Sequence, residues 1–372
     1  MTLDRHDHTP LYVQFYRILL ERLKSVPVGA NLPPERQLCE EYKLDRVTVR
    51  KALSMLTEER YVERKQGRGT CVLRHPSDLE ANGTILFVLY HGAHLVDRLG
   101  EPFYARSIDA LEKYLQRSGK RLVYSKLRRE DNLQDLCDML EAQGVILAGT
   151  VDDRVTEQCR ALQIPLVGYN TRIAGFCSVE ADNEDGAAMS AQHLIALGHK
   201  RIGFINVPGN INSEKRLSRF QSEIRKAGLD ERALAVREGD WSEQGGYLAA
   251  RDLLTAEPGV TALFGGNDSM AIGAMRAAQE LALAVPGDLS VIGFDGIAQS
   301  QLTPVALTTL QVDVKVMAEA ACMLLAHVMS EGVASESAGR IHAVVSAEFM
   351  LRASTAAPCR ASGQPASTKN GE

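Results

Sequence analysis

Apolar and polar positions change rhythm once along this chain, near residue 80. After Pro10, the residues Leu11, Phe15, Ile18, Leu19 and Leu23 recur at helical spacing and predict a first helix with one apolar face. Pro27 and Gly29 end it. Pro33 and Pro34 suit the start of a short second helix over 35–42, because proline is tolerated in a first turn. Leu44 makes a turn, Asp45 is placed to accept from backbone N–H groups near Thr48, and 46–59 runs as a third helix. On a wheel of about 100° per residue, Val49, Ala52, Leu53 and Leu56 share one arc, while Arg46, Val47, Arg50 and Lys51 fall on the opposite one. Residues 61–65 and 70–73 read as two strands joined across Gln66-Gly67-Arg68-Gly69, a hairpin with a glycine-rich, basic tip.

From residue 84 short apolar runs alternate with amphipathic stretches. Strand-like runs at 85–90, 122–124, 144–148, 164–168, 201–206, 260–265 and 289–294 frame helical patterns such as 105–115 and 133–142. That alternation implies an α/β fold with parallel sheets covered on both faces, and about 270 residues suffice for two such halves. The polar stretch 76–83 reads as a linker and 353–372, small and polar with glycine and proline, as a disordered tail. The expected organisation is therefore a domain over 1–75, a linker over 76–83, a two-lobed domain over 84–352 and a tail.

Composition changes this picture little. With 372 residues, 45% hydrophobic and 24% charged, the chain can build ordinary cores. No apolar run approaches the roughly 18 residues a membrane helix needs, and the polar start from Met1 to His8 is unlike a secretory signal, so a cytoplasmic protein with no membrane partner is expected. Seven scattered cysteines without a CxxC spacing argue for reduced thiols, and against a disulfide framework or a structural zinc.

Charge is more informative. The net value is −5, yet the first 75 residues hold 14 basic against 10 acidic side chains, leaving 28 against 37 for the rest. A short helix with a packed back and an arginine-rich front, following another short helix after a tight turn, suits a DNA major groove. The arginine fork can bond guanine O6 and N7 together or clamp a phosphate. A solvated face would look the same on the third helix alone; the helix pair and the basic hairpin tip shift the balance towards double-stranded DNA.

The second part shows no catalytic grammar: no Walker loop, no GxGxxG opening a helix, no HExxH and no GxSxG. His91 and His94 have an HxxH spacing that a surface loop explains as well as a metal does. Gly265-Gly266-Asn267-Asp268 follows a strand, where glycines can admit a ligand.

The stretches Pro10-Leu11-Tyr12, 32–38 (Leu32 to Leu38), 45–53 (Asp45 to Leu53) and Gly67-Arg68-Gly69-Thr70 together resemble the winged helix-turn-helix of the GntR family. The resemblance implies DNA contacts by Arg36, Arg46, Thr48 and Arg50, with Gln66, Gly67 and Arg68 reaching the minor groove from the wing; Val47 and Lys51, on the same outward arc of the third helix, are counted with them. Pro34 and Asp45 depart from it, standing where small hydroxyl residues are usual.

Farther on, the stretches 179–186, 193–202, Gly239-Asp240-Trp241-Ser242, 267–274 and 285–295, with Leu302-Thr303-Pro304 and Leu307-Thr308-Thr309, look like the effector domain of the LacI/GalR family. That resemblance implies two periplasmic-binding-protein-like lobes closing on a ligand, with crossovers near Gly198, Leu310 and His327. It places ligand contacts on Phe103, Tyr104, Asp185, Arg216, Trp241, Asn267 and Asp295; Arg219 replaces a usual glycine. Their chemistry suits a ring bearing hydroxyls. Phe103 and Tyr104 could equally be core, Trp241 a packing residue and Asp295 a turn carboxylate. The combined expectation is a chimeric regulator of the AraR type. It would be a homodimer on an inverted-repeat operator, with a monosaccharide-like effector, no cofactor and no metal. Repressor is the first reading; an activator, a corepressor-dependent regulator, a sugar-binding transport protein and, most weakly, an enzyme stay open.

Overall fold

The computed structural model describes residues 10–23, 25–58, 61–65, 69–73, 83–90, 101–331 and 341–359. Gln66, Gly67 and Arg68, residues 76–82 of the linker, and His91 and His94 lie outside the described residues.

In the N-terminal domain, α1 (Leu11–Leu23) buries Phe15, Ile18, Leu19 and Leu23 as the spacing predicts, with Tyr16 beside them. A two-residue strand β1 (Asn31–Leu32) precedes α2 (Glu35–Tyr42) and α3 (Arg46–Glu58). Nothing in the sequence predicts β1, since two residues carry no alternation to read. Lys43 ends α2 in the left-handed region, φ 51°, and its N–H returns to the Cys39 carbonyl, so α3 begins after only three residues. Strands β2 (Val62–Lys65) and β3 (Gly69–Val72) pair antiparallel, and β1 joins β3 on its other side. Val49, Ala52, Leu53 and Leu56 of α3 pack into one core with Phe15, Leu19 and Leu38. Burying each large side chain contributes roughly 1.5 to 3 kcal/mol, which fixes the face that α3 turns outward.

The first lobe winds β4 (Thr84–Tyr90), α4 (Pro102–Gln116), β5 (Arg121–Leu127), α5 (Leu133–Met139), β6 (Ala142–Gly149), α6 (Asp153–Ala161), β7 (Leu166–Tyr169) and β8 (Ser178–Ala181). The second runs α7 (Asn183–Ala196), β9 (Ile202–Asn206), α8 (Ile211–Lys226), β10 (Leu234–Glu238), α9 (Glu243–Ala256), β11 (Ala262–Gly265), α10 (Asp268–Glu280), β12 (Ser290–Asp295), α11 (Gln299–Leu302) and β13 (Thr308–Val312). Helix α12 (Val314–Glu331) and β14 (His342–Val345) return to the first lobe, and β15 (Ala347–Met350) closes the second. The sheets have the orders β14-β8-β7-β6-β4-β5 and β10-β9-β11-β12-β13-β15, parallel throughout except for β15. Central strands buried on both faces explain the continuous apolar runs. Helices α9 and α10 approach so closely that a Cβ on Gly273 would stand 2.0 Å from the Glu243 carbonyl oxygen, so this crossing requires glycine.

Two expected crossovers are corrected. The first falls between Ala181 and Asn183, not near Gly198, because α7 already packs on α8 and β15 of the second lobe. The third falls at Ser346, between β14 and β15, not near His327, which sits inside α12 against first-lobe strands. The second, at Asp313, lies close to the expected Leu310. Hydrophobic runs mark strands but do not say which sheet a following helix covers.

The expected tail is corrected over 353–359, while 360–372 lies outside the described residues. Ser354 is fully buried: its hydroxyl donates to the Val291 carbonyl at 2.5 Å and accepts from the Thr308 N–H at 2.8 Å. His199, also buried, bridges Thr261, Ser290 and the Ala356 carbonyl, and His193 reaches the Thr355 hydroxyl at 3.0 Å. Small polar residues look like a tail in sequence, yet here they satisfy backbone groups at the ends of β12 and β13.

Candidate functional site

Two places gather the chemistry. On the N-terminal domain, Asp45 caps α3: its Oδ1 accepts from the Val47 and Thr48 N–H groups at 2.9 Å each, and its Oδ2 from the Thr48 hydroxyl at 2.7 Å. These hydrogen bonds hold the Asp45 carboxyl below its ordinary value. Arg46, Val47, Arg50 and Lys51 are exposed, Val47 at 76%, an unusual position for valine. Thr48 is half-buried. Lys51 Nζ stands 3.7 Å over the Tyr12 ring of α1, which steadies it against the helix pair. Arg36 projects from α2 and pairs along its own helix with Glu40 at 3.1 Å. Sequence reasoning missed Glu35, whose carboxylate lies among Arg46, Arg50 and Arg64.

The other place is a narrow cleft between the lobes. The first lobe supplies Glu101, Phe103, Tyr104 and Asn170; the second supplies Asn210, Asn212, Arg216, Trp241, Asn267 and Asp295. Phe103 and Tyr104 sit in the first turn of α4 with ring centroids 5.3 Å apart, and Tyr104 also reaches Phe87, so both line the cleft and pack the core. Arg216 is 2% exposed; its Nε donates to Asn183 Oδ1 at 2.8 Å, its Nη1 to the Gly266 carbonyl, and its guanidinium lies 3.5 Å from the Phe294 ring centroid. A buried cation is tolerated only with such partners. Arg219 pairs instead with Glu223 at 3.2 Å along α8, so the residue replacing the usual glycine leaves the aim of Arg216 intact.

Asn267 caps α10 through its Oδ1 to the Met270 N–H at 2.8 Å, and its Nδ2 donates to the Trp241 carbonyl at 3.1 Å. Trp241 and Asp295 both adopt positive φ, 72° and 113°, conformations that cost non-glycine residues about 1 to 3 kcal/mol and that the surrounding packing must hold. Behind Asp295, fully buried Asp268 accepts from the Ile297 N–H at 2.8 Å and from the Thr309 hydroxyl. Burial and the charge of Asp295 push the Asp268 carboxyl up to about 8.

Asp185 is the misplaced expectation. It is exposed in the first turn of α7, outside the cleft lining, with its N–H engaged by the Asp182 cap. Its neighbour Asn183 turns inward, donating to the Ala181 carbonyl and to Asn212 Oδ1. Sequence reading also missed Glu101 and three asparagines, Asn170, Asn210 and Asn212; the asparagines carry bonds across the lobes, Asn210 Nδ2 to the Thr150 hydroxyl and Asn212 Nδ2 to the Asn170 carbonyl, each 2.8 Å. Asparagines opening α8 look like ordinary caps, and Asn210 is one. Arg106 adds a bond from α4 to the Gly296 carbonyl at 2.9 Å. No group of metal-ligating residues occurs among the described residues.

Residues 11–72 match the gntR family of bacterial regulatory proteins, and 191–355 match the periplasmic binding protein-like domain. An uncharacterised HTH-type transcriptional regulator of Streptomyces limosus is 37% identical over 239 residues, 60% of this chain and 66% of the relative. The HTH-type transcriptional repressor PurR of Yersinia enterocolitica is 30% identical over 253 residues, 62% of this chain and 71% of that one. The chain thus spans about two thirds of the length of these relatives. Among solved structures, a LacI family transcriptional regulator of Enterococcus faecium with bound ribose aligns with a TM-score of 0.65 at 23% identity, over 74% of this chain and all of that one. A CelR–cellobiose complex aligns with a TM-score of 0.65 at 22% identity, over 84% and 92%. At such identities the likeness is one of fold. The chain therefore belongs to the HTH-type transcriptional regulators, with a gntR-family head joined to a periplasmic-binding-protein-like domain of LacI-type fold.

Proposed function

We propose that this chain is a ligand-responsive regulator: the winged head reads a double-stranded operator, and a small sugar-like effector in the interlobe cleft releases it. The carrying observation is the cleft, where carboxamides, carboxylates and aromatic rings from both lobes converge. Paired donors and acceptors match ring hydroxyls, and an indole or phenyl face suits the apolar face of a sugar. The ribose and cellobiose held by two neighbours of this fold support that class of ligand.

The effector contacts assigned to this reading are Phe103, Tyr104, Arg216, Trp241, Asn267 and Asp295, with Asn170, Asn210 and Asn212 added. Those assigned to DNA are Arg36, Arg46, Val47, Thr48, Arg50 and Lys51. A homodimer in the cytoplasm would set two heads on half-sites of an inverted repeat, one or two helical turns apart. A neighbour of this fold is a Lac repressor dimer bound to operator. Effector binding tightens the lobe contacts and changes the freedom of the heads; by linkage, operator weakens effector binding by the same factor. The role is regulatory rather than enzymatic.

The test uses the chain's single tryptophan. Purified protein is titrated with pentoses, hexoses, their phosphates and purines while Trp241 fluorescence is followed, and the series is repeated with Asp295→Ala. A saturable response to one compound that the variant loses, together with weaker DNA binding in its presence, supports the reading. Tighter DNA binding would make the compound a corepressor. An identical response in the variant would remove Asp295 from the site.

A further inference from the structure

Three arginines converge on one carboxylate in the N-terminal domain. Glu35 is the first residue of α2; its Oε2 accepts from Arg46 Nε at 3.5 Å and Arg50 Nε at 3.0 Å, and its Oε1 from Arg64 Nη2 at 3.1 Å. Arg46 and Arg50 stand one turn apart on α3, and Arg64 lies on β2, so the carboxylate ties the recognition helix to the strand leading into the hairpin. The Glu35 side chain is only 23% exposed, against 72% for Arg46 and 55% for Arg50. Partial burial pushes the Glu35 carboxyl up, but the Arg50 hydrogen bond and the charges of Arg50 and Arg64 outweigh it and hold it below its usual range.

The geometry of these bonds matters. Arg46 and Arg50 are held through Nε, the inner nitrogen, so these bonds do not take up the end-on N–H pair of either guanidinium. Those are the groups that match guanine O6 and N7 or a phosphate. A fork held before binding loses less rotamer freedom when it meets its target. The carboxylate also offsets one of three positive charges, which weakens attraction to any phosphate backbone whatever its sequence.

We propose that Glu35 is a positioning residue for the DNA-reading face: it aims Arg46, Arg50 and Arg64 as one set, raising sequence discrimination at the expense of non-specific affinity. The proposal rests on the reading of this head as sequence-specific.

The experiment uses the full chain. Wild-type protein enriches a binding sequence from a randomised 30-base-pair duplex pool; affinities for the enriched duplex and a shuffled one are then measured across a KCl series for wild type, Glu35→Gln and Glu35→Asp. Glu35→Gln should bind the shuffled duplex more tightly, with a salt slope steeper by about one, and its enriched-to-shuffled ratio should fall about tenfold or more. Glu35→Asp keeps the charge but shortens the reach, so it should lose discrimination while keeping the wild-type slope. A ratio within twofold of wild type in both variants overturns the proposal. So does a Glu35→Asp variant that discriminates like wild type while Glu35→Gln does not, because charge alone would then suffice. If wild type enriches no sequence, the reading of the head itself fails and the proposal with it.

Discussion

The α3 face proposed to read DNA and the interlobe cleft are built in opposite ways. The face takes Arg46, Val47, Arg50 and Lys51 from one turn and a half of a single helix, opposite a core stripe of the same helix. The cleft draws on residues from Glu101 to Asp295, contributed by both lobes across the chain crossing at 181–183. One is a property of local periodicity, the other of topology. The difference predicts how damage spreads: head substitutions should stay in the head, while changes in the lobed domain should reach across elements distant in sequence.

The largest effect is expected at α3. Arg46→Ala or Arg50→Ala should cut affinity for the enriched duplex about 100-fold, as expected when a bidentate contact worth roughly 1 to 3 kcal/mol is lost together with a phosphate attraction. The Trp241 titration should remain that of wild type. Unchanged duplex affinity in both variants would remove α3 from the reading face and break the comparison at its simpler end.

The C-terminal segment tests the other end. Truncation after Arg352 removes the Ser354 and Ala356 bonds to β12, β13 and His199, and should cost about 2 to 4 kcal/mol at roughly 0.5 to 1.5 kcal/mol per hydrogen bond, plus the penalty of groups left unsatisfied. Truncation after Cys359 should leave the unfolding midpoint where it was. Equal stability of the two truncated chains, measured by urea denaturation, would return 353–359 to the status of a tail.

Next comes a pH dependence confined to the lobed domain. The Asp268 carboxyl is raised from an ordinary 3.8 to about 8 in the folded chain, so folding takes up a proton between those values. Its contribution to stability is intact below about 4 and is lost as pH rises through about 8. The melting temperature of wild type should therefore fall from pH 5 to pH 9 more steeply than that of Asp268→Asn. Parallel curves would show that the carboxyl is ionised in the fold.

The smallest effect sharpens the comparison most. Asp185→Ala should change effector affinity by less than about twofold, since that side chain faces solvent, and surface substitutions usually alter stability by no more than about 0.5 kcal/mol. A loss like that of Asp295→Ala, read by the same titration, would return Asp185 to the cleft.

Legibility followed the same division. The bounds of α2, the Asp45 cap and the buried stripe of α3 could be read from residues within a few positions of one another. The strand–helix alternation of the lobes was legible too, because doubly buried parallel strands are apolar throughout. Assignment of α7 to the second lobe was not, and neither was the choice of Asn183 over Asp185. Those two residues are only two positions apart, and which of them faces Arg216 depends on how the start of α7 is seated on α8.

By itself the sequence determined the helix pair with its outward arginines, the two-lobed α/β architecture, and the arginine, asparagine, aspartate and aromatic residues available for a polar ligand. Side-chain periodicity and helix capping act over one or two turns, so they are written locally. The tertiary structure alone decided that Asn170, Asn210 and Asn212 meet across the lobes, that Ser354 belongs to the core and that Glu35 gathers three arginines. Each of these is a contact between residues brought together by chain crossings or packing, and a hydrogen bond formed at 3 Å leaves no periodic trace along the chain that makes it.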